Sequence, residues 1–97
     1  MQGIRLHSRD GIDAMVLEEF DLPAPGTGEA QIAVHAAGVN FGDTLMVTGQ
    51  YQEKPDLPFS PGMEAAGEVI ALGAGVDNVS VGDRVMGSIG YGGFAEA

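Results

Sequence analysis

The sequence has no cysteine, and its 97 residues include only four basic side chains. Without cysteine, disulfides, thiolate catalysis and cysteine-ligated zinc are all excluded. The four basic residues face fourteen acidic ones, a formal net charge of -10. Such a chain repels nucleic acid and anionic membrane surfaces, so neither is expected as a partner. The amino terminus, Met-Gln-Gly-Ile-Arg-Leu-His, lacks the apolar h-region of a secretory signal. No apolar run approaches the roughly 18 residues of a membrane span. The expectation is a soluble, cytoplasmic chain.

What is abundant is glycine, with sixteen residues, spread with five prolines between apolar blocks. That spacing predicts many tight turns, no linker and one domain over residues 1–97. Residues 3–7 and 14–20 read as strands joined by Asp10-Gly11, a dipeptide suited to a hairpin turn. Residues 22–28, with two prolines, break the pattern. Residues 30–39 alternate well, with Ile32, Val34 and Ala36 on one face and Gln31 and His35 on the other. His35, opposite the apolar face, reads as an ordinary exposed residue.

At Asn40 the strand pattern ends and a short helix begins, with Asp43 three residues on and Gly49 beyond the last apolar position. Asparagine at the N-cap and an acid at the third helical position satisfy loose backbone donors and complement the helix dipole. Residues 50–59 form an irregular, exposed loop holding Tyr51 and Lys54, the latter read as solvated. Residues 62–73 form a long apolar run, a strand that can bend at Gly67. Glu64 within it is expected to be buried and partnered. Turns follow at Asp77-Asn78 and Gly82-Asp83, and Arg84-Val85 restart a strand. After a flexible corner at residues 90–93, residues 94–97 begin a strand with no evident partner. Six or seven short strand-like blocks and one short helix predict a mainly β fold, a small, partly open β-barrel.

Beyond periodicity, five phrases stand out: Ala37-Gly-Val-Asn-Phe-Gly-Asp-Thr-Leu, Gly49-Gln-Tyr, Pro58-Phe-Ser-Pro-Gly-Met-Glu-Ala-Ala-Gly-Glu-Val, Val81-Gly-Asp-Arg-Val and Gly92-Gly-Phe-Ala-Glu. Together they resemble the medium-chain dehydrogenase/reductase superfamily, most closely its zinc-independent quinone oxidoreductase branch, which includes zeta-crystallin-like proteins. The resemblance implies a GroES-like barrel, the amino-terminal part of a catalytic domain that is ordinarily followed by a Rossmann domain binding NADPH. Within these residues no glycine-rich fingerprint sits between a strand and a helix, so the chain reads as a piece of something longer. Zinc-using relatives carry a cysteine where this chain has Asn40 and a histidine where it has Met63. An amide and a thioether are poor zinc ligands, so no metal is expected.

By the same resemblance, hydride passes from NADPH directly to a quinone or enone, with Asn40 and Tyr51 as catalytic residues. Asn40, Phe41, Asp43 and Met63 make the chain's cofactor contacts, Asp43 by holding the corner through helix-end hydrogen bonds. Leu45 stands where several relatives have a tyrosine. Two other readings share some of these features: an enoyl reductase of polyketide or fatty-acid type, and a non-catalytic association module of the GroES kind. An exposed interface and an unpaired final strand also imply self-association.

Overall fold

The computed structural model describes all of residues 1–97. Strands β1 (Gln2–Leu6) and β2 (Met15–Glu19) form an antiparallel pair. Strands β3 (Ala30–Gly38), β4 (Glu64–Leu72) and β5 (Arg84–Ser88) form a second antiparallel sheet in that order. One helix, α1 (Phe41–Met46), follows β3. The fold is mainly β, as the turn-rich sequence indicates, but the two sheets remain open and do not close into a barrel. There are five strands, fewer than the sequence pattern suggests. Much of the stretch before β5 is taken up by turns, with Gly75 and Gly82 at φ 82° and 98°.

The first connection is not the tight hairpin expected. A two-residue type I′ turn needs positive φ at both central residues. Gly11 has it (φ 94°), whereas no residue other than glycine does, Asp10 included. The chain instead makes a 3₁₀ turn at Ile12–Ala14, and the Gly11 N–H donates to the Val47 carbonyl at 3.1 Å. The wider loop thereby docks on the end of α1.

The core lies where β1, α1 and the 50–59 loop meet. Leu6, Met46, Val47 and Phe59 form one buried cluster, with Ala14, Met15 and Tyr51 packed against it. Leu6 and Phe59 also exchange backbone hydrogen bonds, at 2.8 and 3.2 Å. The loop is thus less exposed than its composition suggests: Pro55 and Phe59 are buried.

The long strand β4 is irregular around Gly67. Its register with β3 shifts between Gln31 and Ile32 and again between Val34 and Ala36, leaving exposed His35 as an extra residue. Gly67 lies between the two shifts, and a Cβ there would overlap the Ala33 carbonyl oxygen. Here glycine allows one backbone to press on another.

The last segment does have partners, contrary to the sequence reading. The Ile4 N–H donates to Phe94 O at 2.7 Å, Glu96 N–H to Gln2 O at 3.0 Å, and Val34 N–H to Glu96 O at 2.8 Å. Only a single bridge, Gly3 to Ala95, forms, so no strand results. These bonds link the two sheets and remove the unpaired end as a reason for self-association. Pairing with β1 and β3, both far away along the sequence, leaves no local pattern to read.

The close contact at Gly67 makes a prediction. Gly67→Ala forces a methyl into backbone and should cost about 3 kcal/mol. Gly87→Ala, with nothing within 4 Å of the added carbon, should leave stability unchanged or raise it by about 0.5 kcal/mol. Urea unfolding of the two variants measures the contrast.

Candidate functional site at the strand-to-helix corner

The corner is built on Asn40 and Asp43. Asn40 is extended (φ -123°, ψ 158°) and caps α1, placing Asp43 at the third helical position. Asp43 is buried at 4% exposure, and both its oxygens are used. Oδ2 accepts from Asn40 N–H at 2.8 Å and Oδ1 accepts from Gly62 N–H at 3.3 Å. One carboxylate thus ties the start of the helix to the residue just before Met63 and β4. The helix ends after six residues, and Gly49, at φ 76°, turns the chain away. The loop then brings Tyr51 back over the helix.

Gly42 makes the close approach possible. A Cβ at Gly42 would lie 2.7 Å from Met63 Sδ and 3.2 Å from Tyr51 Cε1. Met63 and Tyr51 therefore rest against the first turn of α1 because no side chain intervenes. Asn40, Phe41, Tyr51 and Met63 line one concavity of about 450 Å³, with Leu45 on its wall. Asp43 does not line it; it supports the corner from behind.

Gly42, Glu64 and Ser88 complete the lining, and the family likeness of the sequence does not point to them. A glycine inside a helix costs stability and so hints at a close packing partner. Ser88 carries no such signal, since only the pairing of β5 with β4 brings it opposite Glu64. Glu64 itself was expected to be buried and partnered. It is exposed and has no hydrogen-bond or ion-pair partner in the chain. Gly38 lies opposite it in β3, and the carboxylate occupies the space where a Cβ at Gly38 would be.

The electrostatic character follows. None of Arg5, Arg9, Lys54 or Arg84 lines the concavity, and its one charged group is the Glu64 carboxylate. No group of three or more His, Cys, Asp or Glu converges anywhere in the chain. The polar groups at the corner are an amide, a phenol, a thioether, a hydroxyl and one carboxylate, a set suited to holding an uncharged ring. No helix is long and apolar enough to cross a membrane.

The sequence profile of the alcohol dehydrogenase GroES-like domain matches residues 26–97. A quinone oxidoreductase-like protein 2 homolog of Nematostella vectensis is 47% identical over 83 residues, covering 86% of this chain and 23% of that protein. Among solved structures, a quinone oxidoreductase of Pseudomonas syringae superposes with a TM-score of 0.91 at 34% identity, over 98% of this chain and 29% of that one. The Escherichia coli quinone oxidoreductase, solved with NADPH, superposes with a TM-score of 0.83 at 36% identity, over 92% of this chain and 27% of that one. The chain spans 21–24% of the length of the curated quinone oxidoreductase-like relatives it matches.

The double use of Asp43 makes the corner's stability testable. Asp43→Ala leaves the N–H groups of Asn40 and Gly62 without their acceptor and should cost about 3 kcal/mol. In hydrogen-exchange measurements those two amides should lose protection ahead of the Leu6 amide.

Proposed function

The chain belongs to the alcohol dehydrogenase GroES-like domain family, within the medium-chain dehydrogenase/reductase superfamily, and from that premise we propose a specific role. Residues 1–97 form the GroES-like part of the catalytic domain of an NADPH-dependent quinone or enone oxidoreductase that uses no zinc. The observation that carries this reading is the single concavity shared by Asn40, Phe41, Tyr51 and Met63.

The concavity fits the uncharged nicotinamide end of the cofactor and not its phosphates, since no cationic side chain lines it and Glu64 would repel an anion. The phosphates would be held mainly by a Rossmann unit beyond these residues. When bound, NADPH supplies a hydride that, with one proton from solvent per hydride, reduces a quinone to its hydroquinone or an enone to the saturated ketone.

This chain's own part is to bind and orient. The Asn40 amide offers a hydrogen bond to the ring amide or to the acceptor carbonyl, where negative charge develops. The Tyr51 hydroxyl offers a second donor from across the helix. Phe41, at 78% exposure, and Met63 supply apolar wall that excludes water once covered. Asp43 contributes indirectly, by fixing the backbone of Asn40.

We propose further that the protein acts in the cytoplasm and that its exposed apolar surface is covered by association. Leu17, Val39, Phe41, Val81 and Met86 are each between 62% and 85% exposed, more than a solvated surface favours. Light scattering of the 97-residue chain should show mass rising with concentration; a strict monomer at high concentration contradicts this.

In the complete protein, NADPH oxidation should depend on added quinone or enone and be unchanged by chelator. Asn40→Ala should lower kcat/KM about 10²-fold, and Tyr51→Phe about 10-fold. No turnover with any quinone or enone, or activity that needs zinc, overturns the proposal.

A further inference from the structure

We infer that Arg9 is a positioning residue for Tyr51: it holds both ends of the loop that presents the tyrosine to the concavity. Of the chain's four basic side chains, Arg5 has Glu18 at 3.4 Å and stacks over the Phe20 ring at 4.4 Å. Arg9 pairs with no carboxylate, although fourteen acidic residues are present. Its Nη2 donates to the Pro55 carbonyl at 2.9 Å, and its Nε is buried with no acceptor. Its stem lies on Gly49, where an added Cβ would come within 3.1 Å of Arg9 Cδ.

Gly49 and Pro55 bracket Tyr51. Gly49 ends the turn that follows α1 at φ 76°, and Pro55 is buried. One side chain therefore spans the loop, with its stem at one end and its guanidinium at the other. The segment carrying Arg9 is itself anchored, because Gly11 N–H donates to Val47 O just after the helix. Tyr51 packs on the same side of the fold, against the Leu6, Met46, Val47 and Phe59 cluster.

A buried N–H without an acceptor, on a cation without a counter-charge, is unfavourable for folding. An apolar chain of the same length would pack on Gly49 at lower cost. What the cationic head supplies, and an apolar chain cannot, is the bond to Pro55. The fold thus retains a costly side chain whose one specific contact fixes the loop carrying Tyr51. The consequence for acceptor binding rests on the function proposed above, but the positioning itself can be measured without turnover.

The test uses the 97-residue chain and two variants. Arg9→Met keeps the stem and removes both the Pro55 bond and the buried Nε; Arg9→Lys keeps the stem and one donor. For Arg9→Met we expect a thermal midpoint within about 2 °C of the parent or higher, while nuclear Overhauser contacts from the Tyr51 ring to Gly42 and the Met63 methyl fall at least threefold. Arg9→Lys should restore most of that intensity. Full Tyr51 contacts in Arg9→Met overturn the inference. So does a collapse of its stability, which makes Arg9 a structural residue. In the complete enzyme, Arg9→Met should raise the acceptor KM about fivefold, more than it lowers kcat. Loss of turnover with every quinone and enone in the unsubstituted enzyme would strike the proposed reaction and leave the loop measurement standing.

Discussion

A single buried carboxylate sets the geometry at the corner. Asp43 accepts one hydrogen bond from Asn40, where β3 gives way to α1, and another from Gly62, two residues before β4 begins. Charge-assisted bonds of this kind are stronger than neutral ones. Their effect is positional: the residues that follow each anchor, Phe41 on one side and Met63 on the other, face the same hollow. Gly42 then lets the two sides close to contact, and the core cluster under Tyr51 brings the third side in. The candidate site is the surface consequence of how the chain satisfies two backbone donors.

The remainder of the fold supports that corner from two directions. Leu6 and Phe59 join β1 to the loop by a two-bond bridge inside the buried cluster. Residues 94–96 join β1 to β3, so the two open sheets are held by backbone hydrogen bonds as well as by side-chain packing. The core is nonetheless small: 12 of 97 residues are buried, which leaves large apolar side chains such as Met86 and Phe41 at the surface. A chain so arranged depends on specific close contacts, such as Gly67 against Ala33, more than on bulk burial.

What could be read from the sequence was what local chemistry determines. The Asn40 cap, Asp43 at the third helical position and the Gly49 exit are set within ten residues, and the helix forms there. The grouping of Asn40, Phe41, Tyr51 and Met63 followed from family likeness, since the periodicity of the segments says nothing about what they face. The misreadings all involve distant partners. Glu64 looked buried because its neighbours in sequence are apolar, but its environment is set by Gly38 and Ser88 on two other strands. Asp10-Gly11 looked like a hairpin turn because its docking on Val47 is invisible locally. The ending looked unpaired because its partners lie at Gln2 and Ile4, at the far end of the chain.

The central claim is that this corner receives the reacting rings. A crystal structure of the complete protein with NADPH and a quinone analogue tests it most directly. The account predicts the nicotinamide and the acceptor ring together in the hollow between Asn40, Tyr51 and Met63, with Asn40 within hydrogen-bonding distance of one of them. Rings bound elsewhere on the chain, or a metal ion held between Asn40 and Met63, would contradict it.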